Sequence, residues 1–163
     1  MQIVILDSGY KSYAFEKELF ERNGFTLKIH PLYKGERQEK IKFAKEAHGL
    51  LVRHTEINTE FLSQMKNLKA VVRYGVGYDN IDLEACTKFG VKAANVQGYA
   101  SHSVSDHAMA LMFSCTRGMW NTQNQLIEKF AAPPVEDIFE LHNKTLGIIG
   151  LGRIGSELSK KAA

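Results

Sequence analysis

The chain has 163 residues, 44% hydrophobic and 24% charged, an ordinary globular composition with enough apolar mass for a full domain core. Its 21 basic and 18 acidic residues leave a formal charge of +3, spread along the sequence without a basic run, so nothing in it calls for a nucleic-acid partner. No apolar stretch approaches the roughly 20 residues of a membrane span, and MQIVILDSGY reads as a first strand rather than a signal peptide. Cys86 and Cys115 show neither metal-ligand spacing nor a disulfide framework, so the expected setting is cytoplasmic, without membrane or metal.

Runs rich in Ile, Val and Leu predict strands at residues 3–6, 25–29, 49–52, 69–73, 91–94 and 145–149. Helical spacing falls between them. Phe15, Leu19 and Phe20 follow the first strand and Ile41, Ala44 and Ala47 the second, each set ending at a Gly or Asn before the next apolar run. This alternation predicts βα units around a parallel sheet.

After the fourth run comes YGVGYDNID, residues 74–82, leading into a helical segment at 83–89. Its two glycines can bare backbone N–H groups to a small anion such as a carboxylate. An ordinary strand-to-helix turn with Asp82 as N-cap explains the same residues, and both readings stand at this point.

Residues 95–105, NVQGYASHSVS, form a polar connection ahead of a long helical pattern at about 103–125, with Ala108, Leu111, Met112, Cys115 and Met119 on one face. Residues 129–143 carry Pro133 and Pro134 and read as a loop or arm. The expected boundary lies near Gly98, giving a first domain at 1–98 and the beginning of a second at 99–163.

The last motif is TLGIIGLGRIG, an apolar run entering a Gly-x-Gly-x-x-Gly turn at Gly150, Gly152 and Gly155 before a helix-prone tail. The first glycine permits the tight turn, the second lets backbone approach a pyrophosphate, and the third lets helix and strand pack closely. Helix-start N–H groups would face the anion. Glycines at this spacing also occur in plain turns; the apolar run before them favours a dinucleotide site.

Taken in order, RYGVGYDNID, NVQGYASHSVSDH and GIIGLGRIG resemble the D-isomer-specific 2-hydroxyacid dehydrogenases, which include phosphoglycerate dehydrogenase, along nearly the whole chain. The resemblance implies a flavodoxin-like parallel-sheet substrate domain followed by the start of a Rossmann NAD-binding domain, with the active site in the cleft between them. It implies an NAD-dependent oxidoreductase acting on the CH–OH group of a D-2-hydroxy acid, or reducing a 2-oxo acid, with NADP also compatible. Substrate would be held by Arg53 and the backbone of Gly75, Val76 and Gly77. Cofactor contacts fall on Val104, Gly150, Gly152, Arg153, Ile154 and Gly155. The family's catalytic arginine, acid and histidine are expected beyond residue 163, so no catalytic residue is assigned and the chain by itself is expected to be inactive. A homodimer through the long helix and the following arm is implied as well.

The chain departs from the family pattern at Gln97, where proline is usual, and at Ser105-Asp106, where Ala-Glu is usual. His107 reads as a helix residue with a structural role. A non-enzymatic NAD-sensing or corepressor-like relative is the alternative. A receiver-like reading with Asp7 as phosphoacceptor explains neither glycine loop.

Overall fold

The computed structural model describes residues 1–31, 35–129 and 138–163 and divides into two compact units, Met1–Gln97 and Gly98–Ala163. The first unit runs β1 (Gln2–Ile5), α1 (Ala14–Arg22), β2 (Thr26–Ile29), α2 (Arg37–Ala44), β3 (Gly49–Val52), α3 (Thr59–Ser63), β4 (Ala70–Arg73), α4 (Leu83–Lys88) and β5 (Lys92–Asn95). All five strands are parallel in the order β2-β1-β3-β4-β5, the flavodoxin-like order. Parallel neighbours cannot be joined by a hairpin, so each connection crosses over through a helix.

One face of the sheet carries the core. Val4, Leu50, Val52 and Val71 pack with Ile41 and Ala44 of α2, Phe61 and Leu62 of α3, and Ala85 and Cys86 of α4, all buried. Each fully buried large side chain here, Phe61 and Leu50 among them, contributes about 1.5–3 kcal/mol by leaving water. Two helix starts are fixed by side-chain caps: Asn58 accepts from the Phe61 amide (3.1 Å) and Asp82 from the Ala85 amide (2.8 Å). The other face thins out across the register row Ile5, Leu51, Val72, Ala94, from wholly buried Ile5 to exposed Ala94, because α1 packs at the β2 end.

The second unit contains α5 (Ser101–Thr116), α6 (Met119–Lys129) and α7 (Arg153–Ala162). Two expectations are corrected. The helix expected at 103–125 is two helices, because Gly118 takes the left-handed conformation (φ 59°) that ends α5. Residues 145–149 form no strand; a strand requires a ladder partner, and the described residues of this unit supply none. Ile149 and Leu151 consequently stand exposed. The Pro133-Pro134 part of the expected arm lies outside the described residues.

Lys161 fastens α7 to α5, its Nζ 2.5 Å from Asp106 Oδ1 and 2.8 Å from the His102 carbonyl. No described helix is long and apolar enough to cross a membrane, and the described residues contain no cluster of three or more metal-ligating side chains.

Candidate functional site

In a parallel α/β sheet the strand ends and the loops that follow them gather at the carboxyl edge, where ligands of such folds bind. The first unit places four features there: Asp7 beyond β1, Arg53 beyond β3, Gly75–Gly77 beyond β4, and Asn95 at the end of β5. Arg53 and the glycine loop are therefore neighbours by topology, since Val52 pairs with Arg73 and the Tyr74 amide donates to the Val52 carbonyl (2.8 Å).

Asp7 organises this edge. Its side chain is completely buried and accepts from the amides of Arg53 (2.7 Å), His54 (2.8 Å) and Thr55 (2.9 Å), the Thr55 hydroxyl (2.6 Å) and Lys40 Nζ (2.5 Å). Burial pushes its carboxyl up, but the hydrogen bonds from Lys40, Thr55 and Arg53 together outweigh that and hold it well below the usual carboxylate range. A carboxylate so fully engaged has no oxygen to offer a phosphoryl group, which removes the receiver-like reading. Its role is to set the backbone from which Arg53 projects.

Arg53 Cζ lies 4.9 Å from the ring centroid of Tyr10, a cation–π contact. Tyr10 meets Tyr74 edge-on (5.7 Å) and Tyr13 edge-on (5.9 Å), and the Tyr13 hydroxyl accepts from the Gly9 and Tyr10 amides. The Tyr74 hydroxyl donates to Glu16 (3.1 Å); burial, then the Glu16 charge and hydrogen bond, push its pKa well above the normal tyrosine range. Aromatic packing thus ties the loop after β1 to the loops after β3 and β4.

Within the glycine loop the polar groups divide by direction. The Gly75 carbonyl accepts from the Val96 amide (3.0 Å) and the Val76 carbonyl from Asn95 Nδ2 (2.6 Å). Among the described residues, the amides of Val76 and Gly77 donate to no protein acceptor. Val76 and Gly77 are exposed whereas Gly75 is buried, and a methyl at Gly75 would overlap the Arg73 guanidinium. The loop offers a small anion two undonated amides, on the strand end that neighbours the end of β3 and Arg53.

The second unit gathers the other predicted residues. Gly150 takes a left-handed φ of 94°, Gly152 is the N-cap of α7, and a Cβ on Gly155 would strike the Gly150 carbonyl oxygen. Gly152 brings no side chain to cap α7, and among the described residues the amides of Arg153, Ile154 and Gly155 form a bare helix start. Those glycine requirements fit a dinucleotide pyrophosphate. Val104 lies exposed in the first turn of α5, the helix that packs on α7.

This unit also holds a histidine–carboxylate pair, His102 Nδ1 and Glu157 Oε2 at 3.5 Å. It is a surface contact: the His102 side chain is 75% exposed, and Glu157 already binds Lys160 at 2.6 Å. His107 is exposed on α5.

A family model for the D-isomer specific 2-hydroxyacid dehydrogenase catalytic domain matches residues 3–149. The chain belongs to this family. It is 37% identical to the hydroxypyruvate reductase of Thermotoga maritima over 128 residues, 78% of this chain and 42% of that protein. With the D-3-phosphoglycerate dehydrogenase of Archaeoglobus fulgidus it shares 37% identity over 127 residues, 77% of this chain and 24% of the relative. The family chain therefore spans less than half the length of these curated relatives. Among solved structures, NAD-bound 3-phosphoglycerate dehydrogenase from Entamoeba histolytica superposes with a TM-score of 0.78 at 27% identity, covering 99% of this chain and 50% of that one. D-lactate dehydrogenase from Aquifex aeolicus, complexed with NAD and lactic acid, gives 0.81 at 26%, covering 99% and 48%.

The sequence pattern assigns no role to the side chain of Lys40 or of Asn95. Lys40 stands four residues before Ala44 on the inward face of α2, so its spacing was a core signal contradicted by its charge. Asn95 opens the NVQGYASHSVSDH motif, but nothing local ties its side chain to the glycine loop; the β4–β5 register brings it there.

Proposed function

We propose that this chain is the carboxylate-holding and pyrophosphate-receiving part of an NAD-dependent oxidoreductase that interconverts a D-2-hydroxy acid and its 2-oxo acid. The observation that carries the reading is the pair of undonated amides at Val76 and Gly77, on the loop after β4, whose neighbour β3 ends before Arg53 at the same carboxyl edge of the sheet. Relatives that bind NAD, one of them together with lactic acid, support it.

In this reading the Val76 and Gly77 N–H groups donate to the substrate carboxylate, and the Arg53 guanidinium adds positive charge nearby. Each charge-assisted bond is shorter and about twice as strong as a neutral one. Asp7 keeps the Arg53 backbone in place through its amide. The amides that open α7 receive the pyrophosphate between Gly150 and Gly155, while Val104 contributes an apolar contact to the nicotinamide end. A nicotinamide dinucleotide bound there supplies or accepts the hydride. Arg53 and the Gly75–Gly77 backbone hold the carboxylate and are given no part in moving the substrate hydroxyl proton, and in this reading the 163 residues alone have no turnover. A homodimer formed through α5 and α6 accounts for exposed Leu111, Trp120 and Ile127. The protein acts in the cytoplasm.

Amide-resolved NMR of the chain tests the reading. Glyoxylate is expected to shift Val76 and Gly77 saturably, and NAD to shift residues 152–155. Titration that leaves both sets unmoved would refute it, and cofactor-dependent reduction of glyoxylate by these residues alone would refute the statement about turnover.

A further inference from the structure

The two candidate carboxylate donors do not point outward by default. A trans peptide sets its C=O and N–H in opposite directions, so fixing one fixes the other. The peptide joining Gly75 to Val76 has its carbonyl held by the Val96 amide at 3.0 Å. The next peptide, joining Val76 to Gly77, has its carbonyl held by the Asn95 side-chain amide at 2.6 Å. Both carbonyls are drawn toward the end of β5, so both N–H groups are turned away from it. β5 lies on one side of β4, and β3, which ends next to Arg53, lies on the other.

We infer that Asn95 is a positioning residue for substrate binding: its side-chain amide holds the Val76 carbonyl and thereby aims the Gly77 N–H at the substrate carboxylate. The inference rests on the functional reading above and adds a residue to it. The two amides differ in what aims them. Val76 N–H depends on a backbone bond that no side-chain substitution removes, whereas the bond that aims Gly77 N–H comes from the Asn95 side chain. Glycine at 77, with no side chain to restrict its backbone, leaves that peptide free to rotate once the Asn95 bond is gone. Asn95 sits at the end of an edge strand and is only part-buried, so replacing it opens no core cavity.

The test uses isotope-labelled chain and glyoxylate as the probe. Asn95→Leu keeps the branched outline of asparagine without the donor and without adding charge; Asn95→Ala is the second variant. In both, glyoxylate is expected to bind roughly fivefold more weakly, the worth of one oriented hydrogen bond. The Gly77 amide is expected to lose its glyoxylate-induced shift while Val76 keeps most of its own, a split that a general loosening of the loop would not give. In the unliganded parent chain, a through-hydrogen-bond coupling is expected between Asn95 Nδ2 and the Val76 carbonyl carbon. Absence of that coupling, or a folded variant in which both amides titrate as in the parent, overturns the inference and leaves the functional reading intact. A parent chain in which neither amide responds to glyoxylate overturns the functional reading and the role of Asn95 with it.

Discussion

Lys40 Nζ lies 2.5 Å from Asp7 Oδ1, and both side chains are buried. Removing one partner of such a pair leaves an uncompensated charge inside the protein, at about 3–5 kcal/mol. The two partners are not equivalent, however. Asp7 also satisfies the amides of Arg53, His54 and Thr55, so its loss orphans three backbone donors, whereas without Lys40 the carboxylate keeps those three and the Thr55 hydroxyl. Asp7→Leu is therefore expected to destabilise the first unit more than Lys40→Met does. Urea denaturation of the two variants reads the order directly, and equal or reversed midpoints would contradict it.

The same network sets a pH dependence. The Asp7 carboxyl has its folded-state pKa depressed below an unfolded value of about 3.9. Its contribution to stability is complete above that unfolded value and is lost as pH falls through the folded one. Stability is expected to decline below about pH 4, beyond what the exposed carboxylates cause. In Asp7→Asn the curve starts lower and this portion of the acid slope is missing; an unchanged slope would show that Asp7 titrates normally.

Much of the first unit was legible because its signals are local. Four-residue apolar runs, Asp82 before a helix and the Gly-rich loop after β4 each carry their physics in neighbouring residues. The failures are equally specific. Residues 145–149 have the composition of a strand, but a strand depends on a partner that a local pattern cannot report. The helix at 103–125 looked continuous because periodicity survives on both sides of Gly118, whereas the positive φ there outweighs it. At the candidate site the loop glycines could be read, but the lysine under Asp7 and the asparagine behind Val76 could not, since each reaches its partner across the fold: Lys40 is 33 residues from Asp7 and Asn95 is 19 from Val76.

Tyr74 supplies a prediction at the opposite end of the pH scale. Burial, and then Glu16, disfavour its ionised form, so its folded pKa is raised above the unfolded value of about 10. This contribution to stability is fully present below that unfolded value and is lost as pH rises toward the folded one. Among the six tyrosines, Tyr74 is expected to titrate among the last by tyrosinate absorbance. Tyr74→Phe should remove amplitude from the high-pH end of the curve; removal from its early part would contradict the assignment.

His102 and Glu157 resemble a proton-transfer couple only in their residue types. An exposed pair, with the glutamate already shared with Lys160, holds neither partner in a fixed orientation. His102→Ala is expected to leave both the urea midpoint and the glyoxylate titration unchanged. A weakened titration would draw this pair into the site.

Gly155 offers the sharpest test of the pyrophosphate corner. Its hydrogen faces the Gly150 carbonyl oxygen so closely that a methyl cannot be fitted there, and the obstacle is backbone, which cannot swing aside as a side chain would. Gly155→Ala must therefore push the start of α7 away from the turn, moving the amides of residues 153–155 that the dinucleotide is proposed to use. Gly147 has open space around it and no left-handed φ, so Gly147→Ala is the control for adding a methyl in the same segment. The first substitution is expected to weaken NAD binding by about tenfold or more, the loss of one or two charge-assisted bonds, and the second to leave it within about twofold, a difference of about 0.4 kcal/mol. NAD titration followed at the α7 amides measures both. Equal binding by the two variants would mean that the close approach of Gly150 and Gly155 does not form the site.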